Sequence, residues 1–145
     1  MMLELDNIFH NVTVMLQSLS DILESEQQIL IGTNTISQLN DVINQKSQLL
    51  IELKLLDEKR LKVSARYNIQ SPYSENPELA LKWQAITNTT QRLAQINRDN
   101  GILIQNRMNM TQQSIDYLKS INNPAVYTYH GYQQPETISS KRAKV

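Results

Sequence analysis

The scarcity of helix breakers, and the places where they fall, constrain this chain more than any other feature. Only three glycines and four prolines occur in 145 residues. Six of these seven sit in three places: Gly32 in "ILIGTNTIS", Pro72 and Pro77 in "QSPYSENPEL", and Pro124, Gly131 and Pro135 near the end. Glycine inside a helix costs about 1 kcal/mol relative to alanine and proline about 3 kcal/mol, so breakers mark boundaries. The intervals between them are far too long for structureless loops.

The intervals carry helical periods. From Leu5, apolar residues recur at Ile8, Val12, Met15, Leu19, Ile22 and Ile29, a three-four spacing that marks one helix face. After Gly32, Thr35 with Gln38 three residues on fits a capping box. The second segment then shows Leu39, Val42, Ile43, Leu49, Leu50, Leu53, Leu56 and Val63. Asn76, Pro77 and Glu78 make a helix start: an N-cap side chain, proline at the first position and an acid against the dipole.

The stretch "NRDNGILIQ", Asn97 to Gln105, poses the main ambiguity. Asn-Gly is the strongest short hairpin signal, yet neither flank alternates as a strand would. Apolar or small positions run Leu79, Trp83, Ile86, Thr90, Leu93, Asn97, Asn100 and Ile104, then Thr111, Ile115 and Leu118. The phase that arrives at Leu93 is the phase that leaves at Ile104, and a chain reversal has no reason to preserve it. The third segment is therefore expected to be continuous helix from Pro77 to Ile121. Gly101 is then expected at a close approach to a neighbouring helix. Asn97 and Asn100 lie near the seam, where buried asparagines fix register and partner at a cost in stability. Trp83, on the apolar face, reads as a core anchor.

The predicted fold is all-α: three long helices, about 3–31, 35–69 and 77–121, packed as an antiparallel coiled-coil-like bundle. Residues 122–145 lose the helical period and read as a flexible, disordered C-terminal tail. That tail holds three of the six tyrosines, Tyr127, Tyr129 and Tyr132. Either they form a docking segment or they are incidental and fold back on the helices.

Composition narrows the function classes. Lys plus Arg and Asp plus Glu both number 14, which argues against a chain-wide nucleic-acid or anionic-membrane binder. Without cysteine there is no disulfide, thiolate metal site or cysteine nucleophile. The opening "MMLELDNIFHN" is acidic where a secretory signal is basic, and no apolar run has the length of a membrane span. A soluble, cytosolic protein is the expectation. The 15 Gln and 14 Asn outnumber the 28 charged residues, so the helix faces are polar without strong charge.

No catalytic constellation emerges. His10 and His130 lie at opposite ends of the chain. Asp57-Glu58 beside Lys59-Arg60 reads as an exposed, self-neutralising surface, and Lys59, Arg60, Lys62 and Arg66 as a solvated basic stripe. No phosphate loop, nucleophile elbow or metal-spaced cluster occurs. The sequons at Asn11, Asn88 and Asn109 are chance matches, and the terminal "KRAK" either steers an acidic partner or keeps the tail soluble. Neither an enzyme nor a cofactor is expected.

Several runs go beyond composition. "WQAITNTTQRLAQINRDNGILI", Trp83 to Ile104, closely resembles the signature of the flagellar export chaperone family FlgN, with its W-Q-x-I-T…T-Q-x-L…N-x-x-N-G-x-L pattern. "EQQIL" at Glu26 to Leu30 and "KSQLL" at Lys46 to Leu50 match it at the expected spacing, and "NPAVY" is similar to the family's proline-x-apolar-tyrosine element. After Tyr127 the chain departs from the pattern. The resemblance implies a cytosolic chaperone of the flagellar type III export system. It would hold the C-terminal segments of the hook-filament junction proteins FlgK and FlgL, prevent their premature association and deliver them to the export gate protein FlhA. Client binding is expected at Met108, Ile115, Leu118 and Ile121, which alternatively cap the core; gate docking is expected at Tyr127 and Val126. The competing reading is a self-associating coiled-coil scaffold or spacer.

Overall fold

In the computed structural model, which describes residues 2–32 and 36–122, the chain forms three helices and no strand among those residues. They are α1 (Met2–Ile31), α2 (Ile36–Arg66) and α3 (Pro77–Asn122). The chain divides into two compact units, Met1–Ile104 and Gln105–Val145. The first holds α1, α2 and the leading part of α3; the second is described through the last turns of α3.

Helix α1 supplies most of the core of the first unit. Leu5, Phe9, Leu16, Leu19, Leu23 and Leu30 are buried, with Val12 packed against them. Their spacing alternates four and three, the heptad of a coiled-coil seam. This face is turned from the one expected: Leu5, Ile8, Val12 and Leu19 are shared, but Phe9, Leu16 and Leu23 replace Met15, Ile22 and Ile29, which are only half-buried. The cause is that α1 is apolar over more than one stripe, because it packs against two helices. Each fully buried leucine or phenylalanine contributes about 1.5–3 kcal/mol of transfer free energy.

Polar contacts set the directions of the helices. Glu4 at the start of α1 reaches Arg66 at the end of α2 at 3.2 Å, and Glu26 near the end of α1 meets Lys46, so the two run antiparallel. Asp6 pairs with Lys82 at 2.8 Å, and Leu23 accepts a bond from Asn100, so α3 returns parallel to α1. Lys46 with Asn97 and Arg60 with Trp83 complete the antiparallel pairing of α2 and α3.

The helix ends follow the local chemistry. Asn76 Oδ1 accepts the Leu79 amide at 3.1 Å, the N-cap bond that its position before Pro77 requires. The expected capping residue Thr35 lies outside the described residues. Helix α2 stops at Arg66, three residues earlier than the apolar pattern suggested. Asn68 takes a left-handed φ of 57°, and the Asn68 and Ile69 amides return to Ala65 and Ser64 carbonyls at 3.1 and 3.0 Å. That is a Schellman closure with asparagine in the place glycine usually holds.

Helix α3 passes through Asn100-Gly101 without a break, so no hairpin forms there. Its buried residues are Leu79, Ile86, Leu93 and Asn100, one every seven. That period places Gly101 one residue past the seam, on the outer surface. A Cβ built on Gly101 meets nothing within 4 Å, so the expected close approach is absent. The glycine faces open space because its neighbour Asn100 takes the inward position.

Candidate functional site

The residues that carried the sequence resemblance assemble into a polar network inside the first unit. Glu26 and Asn100 are completely buried. Lys46 Nζ donates to Glu26 Oε1 at 3.2 Å and to Asn97 Oδ1 at 2.9 Å, and lies 2.9 Å from Glu26 Oε2. Asn100 Nδ2 donates to Glu26 Oε1 at 2.9 Å and to the Leu23 carbonyl at 3.0 Å. One lysine and one amide thus tie all three helices at a single level. The Asn100 Oδ1 is buried and accepts no hydrogen bond, which costs about 1–3 kcal/mol. Glu26 sits in the four-three seam of α1, where any other register would strand its charge in apolar surroundings. The group can lock the register of the three helices.

An aromatic corner occupies the other end of this unit. Phe9, Tyr73 and Trp83 are in mutual contact, with centroids 5.6–5.9 Å apart, in the edge-on and tilted arrangements that rings favour. Arg60 lies 4.3 Å over the Trp83 ring, donates from Nε to Asp57 at 2.7 Å and from a terminal nitrogen to the Tyr73 hydroxyl at 2.9 Å. Burial alone would lower the Arg60 pKa, but the bonds to Asp57 and Tyr73 outweigh it and raise it, so the guanidinium stays charged. Ser64 also bonds the Tyr73 hydroxyl at 2.9 Å. These contacts hold Tyr73 at a φ of 62°, strained for a bulky residue. Arg60 therefore leaves the solvated basic stripe in which the sequence placed it, and Arg66 is engaged by Glu4. A cleft of about 890 Å³ opens beside this corner between Arg60, Asn68, Tyr73 and Asn76.

Trp83 is partly buried against the core, Asn97 and Asn100 join the network, and Gly101 touches nothing. In the second unit Met108, Ile115, Leu118 and Ile121 are all exposed, together with Met110 and Tyr117. Val126 and Tyr127 lie outside the described residues. Among the described residues no helix is long and apolar enough to cross a membrane, and no cluster of three or more His, Asp or Glu could hold a metal. Sequence reasoning missed the Glu26–Lys46 pair and the Arg60–Tyr73 corner. The first was signalled by an acid in register with the α1 leucines; nothing local signalled the second.

Comparison with known proteins extends the resemblance over nearly the whole chain. The FlgN protein family matches residues 1–137. The chain is 34% identical over 145 residues to the flagella synthesis protein FlgN of Salmonella typhimurium, covering 99% of this chain and 100% of that one. It is 33% identical over 146 residues to the Escherichia coli protein of the same name, with 99% and 100% covered. To the Proteus mirabilis protein it is 28% identical over 131 residues, 90% of each. No solved structure matches.

Proposed function

The chain belongs to the FlgN family of flagellar chaperones, and from that premise we propose that it holds the C-terminal segments of the hook-filament junction proteins FlgK and FlgL. It works in the cytoplasm, keeps these clients from associating prematurely, and hands them to the export gate protein FlhA.

The observation that carries client binding is the apolar surface at the end of α3. Met108, Ile115, Leu118 and Ile121 are 60, 41, 58 and 54% exposed. Tyr117, four residues before Ile121, and Met110, seven before that, widen the surface beyond the four. Exposed apolar side chains in this number mark an interaction surface, and an amphipathic client helix fits the Met108, Ile115, Leu118 and Ile121 side by anchors three and seven apart. Methionine adapts to a partner's shape. Around the patch the polar groups are largely amides that bond within the helix, Gln105 to Asn109 and Gln112 to Asp116. Such amide-rich flanks, with few charges, add little electrostatic attraction, which suits a client that is later released.

Tyr127 and Val126 serve gate docking. A phenol ring fills an apolar pocket and makes one hydrogen bond, and Pro124 reduces the entropy lost on docking. The test is size exclusion and calorimetry with a C-terminal fragment of FlgK. The chain is expected to form a stoichiometric heterocomplex. Leu118→Asp weakens it about 30-fold or more, as for loss of an interface anchor, without lowering Tm. Tyr127→Ala keeps client affinity and loses a similar factor toward the cytosolic domain of FlhA. A chain that stays homomeric in excess fragment is a scaffold, and the chaperone reading fails.

A further inference from the structure

The outward face of α2 carries large aliphatic side chains that its place in the bundle does not explain. Leu50, Ile51, Leu55 and Leu61 are 46–59% exposed, while the inward face of the same helix holds Leu49, Leu53, Val63 and Ser64. At 100° per residue the four exposed residues fall into two rows, Leu50 with Leu61 and Ile51 with Leu55. Between the rows run Lys54 and Glu58, both exposed. Among the described residues neither belongs to an ion pair. Lysine four residues ahead of glutamate is also the weaker order for pairing within a helix. Both charges remain available to a partner beyond the described residues.

The order along this face identifies what covers it. Ile51 and Leu61 are centred on residue 56, and so are Lys54 and Glu58. An antiparallel helix placed about a two-fold axis at that point sets Ile51 against the partner's Leu61 and Lys54 against the partner's Glu58, and each contact occurs twice. The Ile51–Leu61 contact is symmetric in apolar side chains and the Lys54–Glu58 contact antisymmetric in charge, as a self-complementary isologous interface requires. A foreign partner imposes no such symmetry. We propose that this face pairs with a second copy of the chain, α2 against α2, with two Lys54–Glu58 pairs flanking the axis and Leu50 and Leu55 beside them. A few helical turns bury less than a standard interface, so the dimer is reversible and concentration-dependent.

Sedimentation velocity over a concentration series, with no client present, tests this apart from the chaperone reading, because no α3 residue is altered. The wild-type chain is expected to pass from monomer to dimer as concentration rises. Lys54→Glu turns two attractive pairs repulsive and weakens dimerisation about ten-fold, and Glu58→Lys does the same. The double variant Lys54→Glu/Glu58→Lys restores it, and an equimolar mixture of the two single variants forms heterodimers more readily than either self-associates. Leu61→Asp abolishes the dimer, and circular dichroism confirms that each variant retains its helices. A chain that is monomeric at every concentration overturns the proposal and leaves this face to a different protein. A dimer indifferent to Lys54→Glu, or a double variant no better than the singles, overturns it as well.

Discussion

Along α3, similar residues meet opposite fates. From Pro77 to Ile104 the seam residues Leu79, Ile86, Leu93 and Asn100 are buried, one every seven. From Gln105 to Asn122 the apolar residues Met108, Met110, Ile115, Tyr117, Leu118 and Ile121 are all exposed. The apolar spacing continues from one part into the other, so periodicity alone does not separate a core stripe from an exposed one. Partners separate them. In the first part every seam position faces a side chain of α1 or α2, and burial pays for the ordering of the helix. In the second, apolar residues of the same kind are exposed.

Truncation at one site in each part tests that contrast most strongly. Leu93 is 2% exposed and sits in the core cluster, so Leu93→Ala removes buried methyl groups and is expected to cost about 2–5 kcal/mol. Ile115→Ala, at an exposed position, is expected to stay within about 0.5 kcal/mol of wild type while weakening binding of the FlgK fragment. Urea melts of both variants, with calorimetry for the second, provide the measurement. Equal destabilisation would mean that the end of α3 is part of the core, and the contrast would collapse.

The polar network lies at the level where the contrast begins, since Asn100 is the last buried residue of α3. Lys46→Met leaves the Glu26 carboxylate buried without its cation and is expected to cost about 3 kcal/mol. Glu26→Leu/Lys46→Met removes both charges and should cost less than the single change, because well-packed apolar replacements of a buried pair are often neutral. Amide exchange along α3 then distinguishes stability from register. If the network fixes how α3 sits on α1, the double variant loses protection near Asn100 first, even where its melting is close to that of wild type. Uniform protection along α3 would assign the network no part in register.

Much of this was legible beforehand. The breakers placed the three helices to within a few residues, and Asn76-Pro77-Glu78 announced the start of α3. What stayed hidden depended on contacts between distant segments. On α1, Phe9, Leu16 and Leu23 compete with Met15, Ile22 and Ile29 for the seam, and only the positions of two neighbouring helices decide between them. Arg60 reads as one of four surface cations until Trp83 and Tyr73 come to lie against it. Glu26 and Lys46 stand twenty residues apart and pair only because α1 and α2 form a hairpin. Exposure at the end of α3 left two readings of Met108, Ile115, Leu118 and Ile121 open in the sequence, since the same spacing serves a core cap and a docking face.

The smallest expected effect sits at the boundary itself. Gly101 was expected to owe its place to a close neighbour, which would make any side chain there costly. The structure removes that reason, because a Cβ at this position meets nothing within 4 Å and the backbone is helical on both sides. What remains is the intrinsic weakness of glycine in a helix, whose greater backbone freedom when unfolded costs up to about 1 kcal/mol relative to alanine. Gly101→Ala is therefore expected to stabilise the chain by about 0.5–1 kcal/mol, and Gly101→Leu to be tolerated without loss. Both should reduce amide exchange over the turns that follow, where the buried run gives way to the exposed one. If Gly101→Ala is destabilising, a partner approaches α3 at this point. If it stabilises the free chain but weakens client binding, the flexibility that glycine gives this turn serves the exposed surface beyond it.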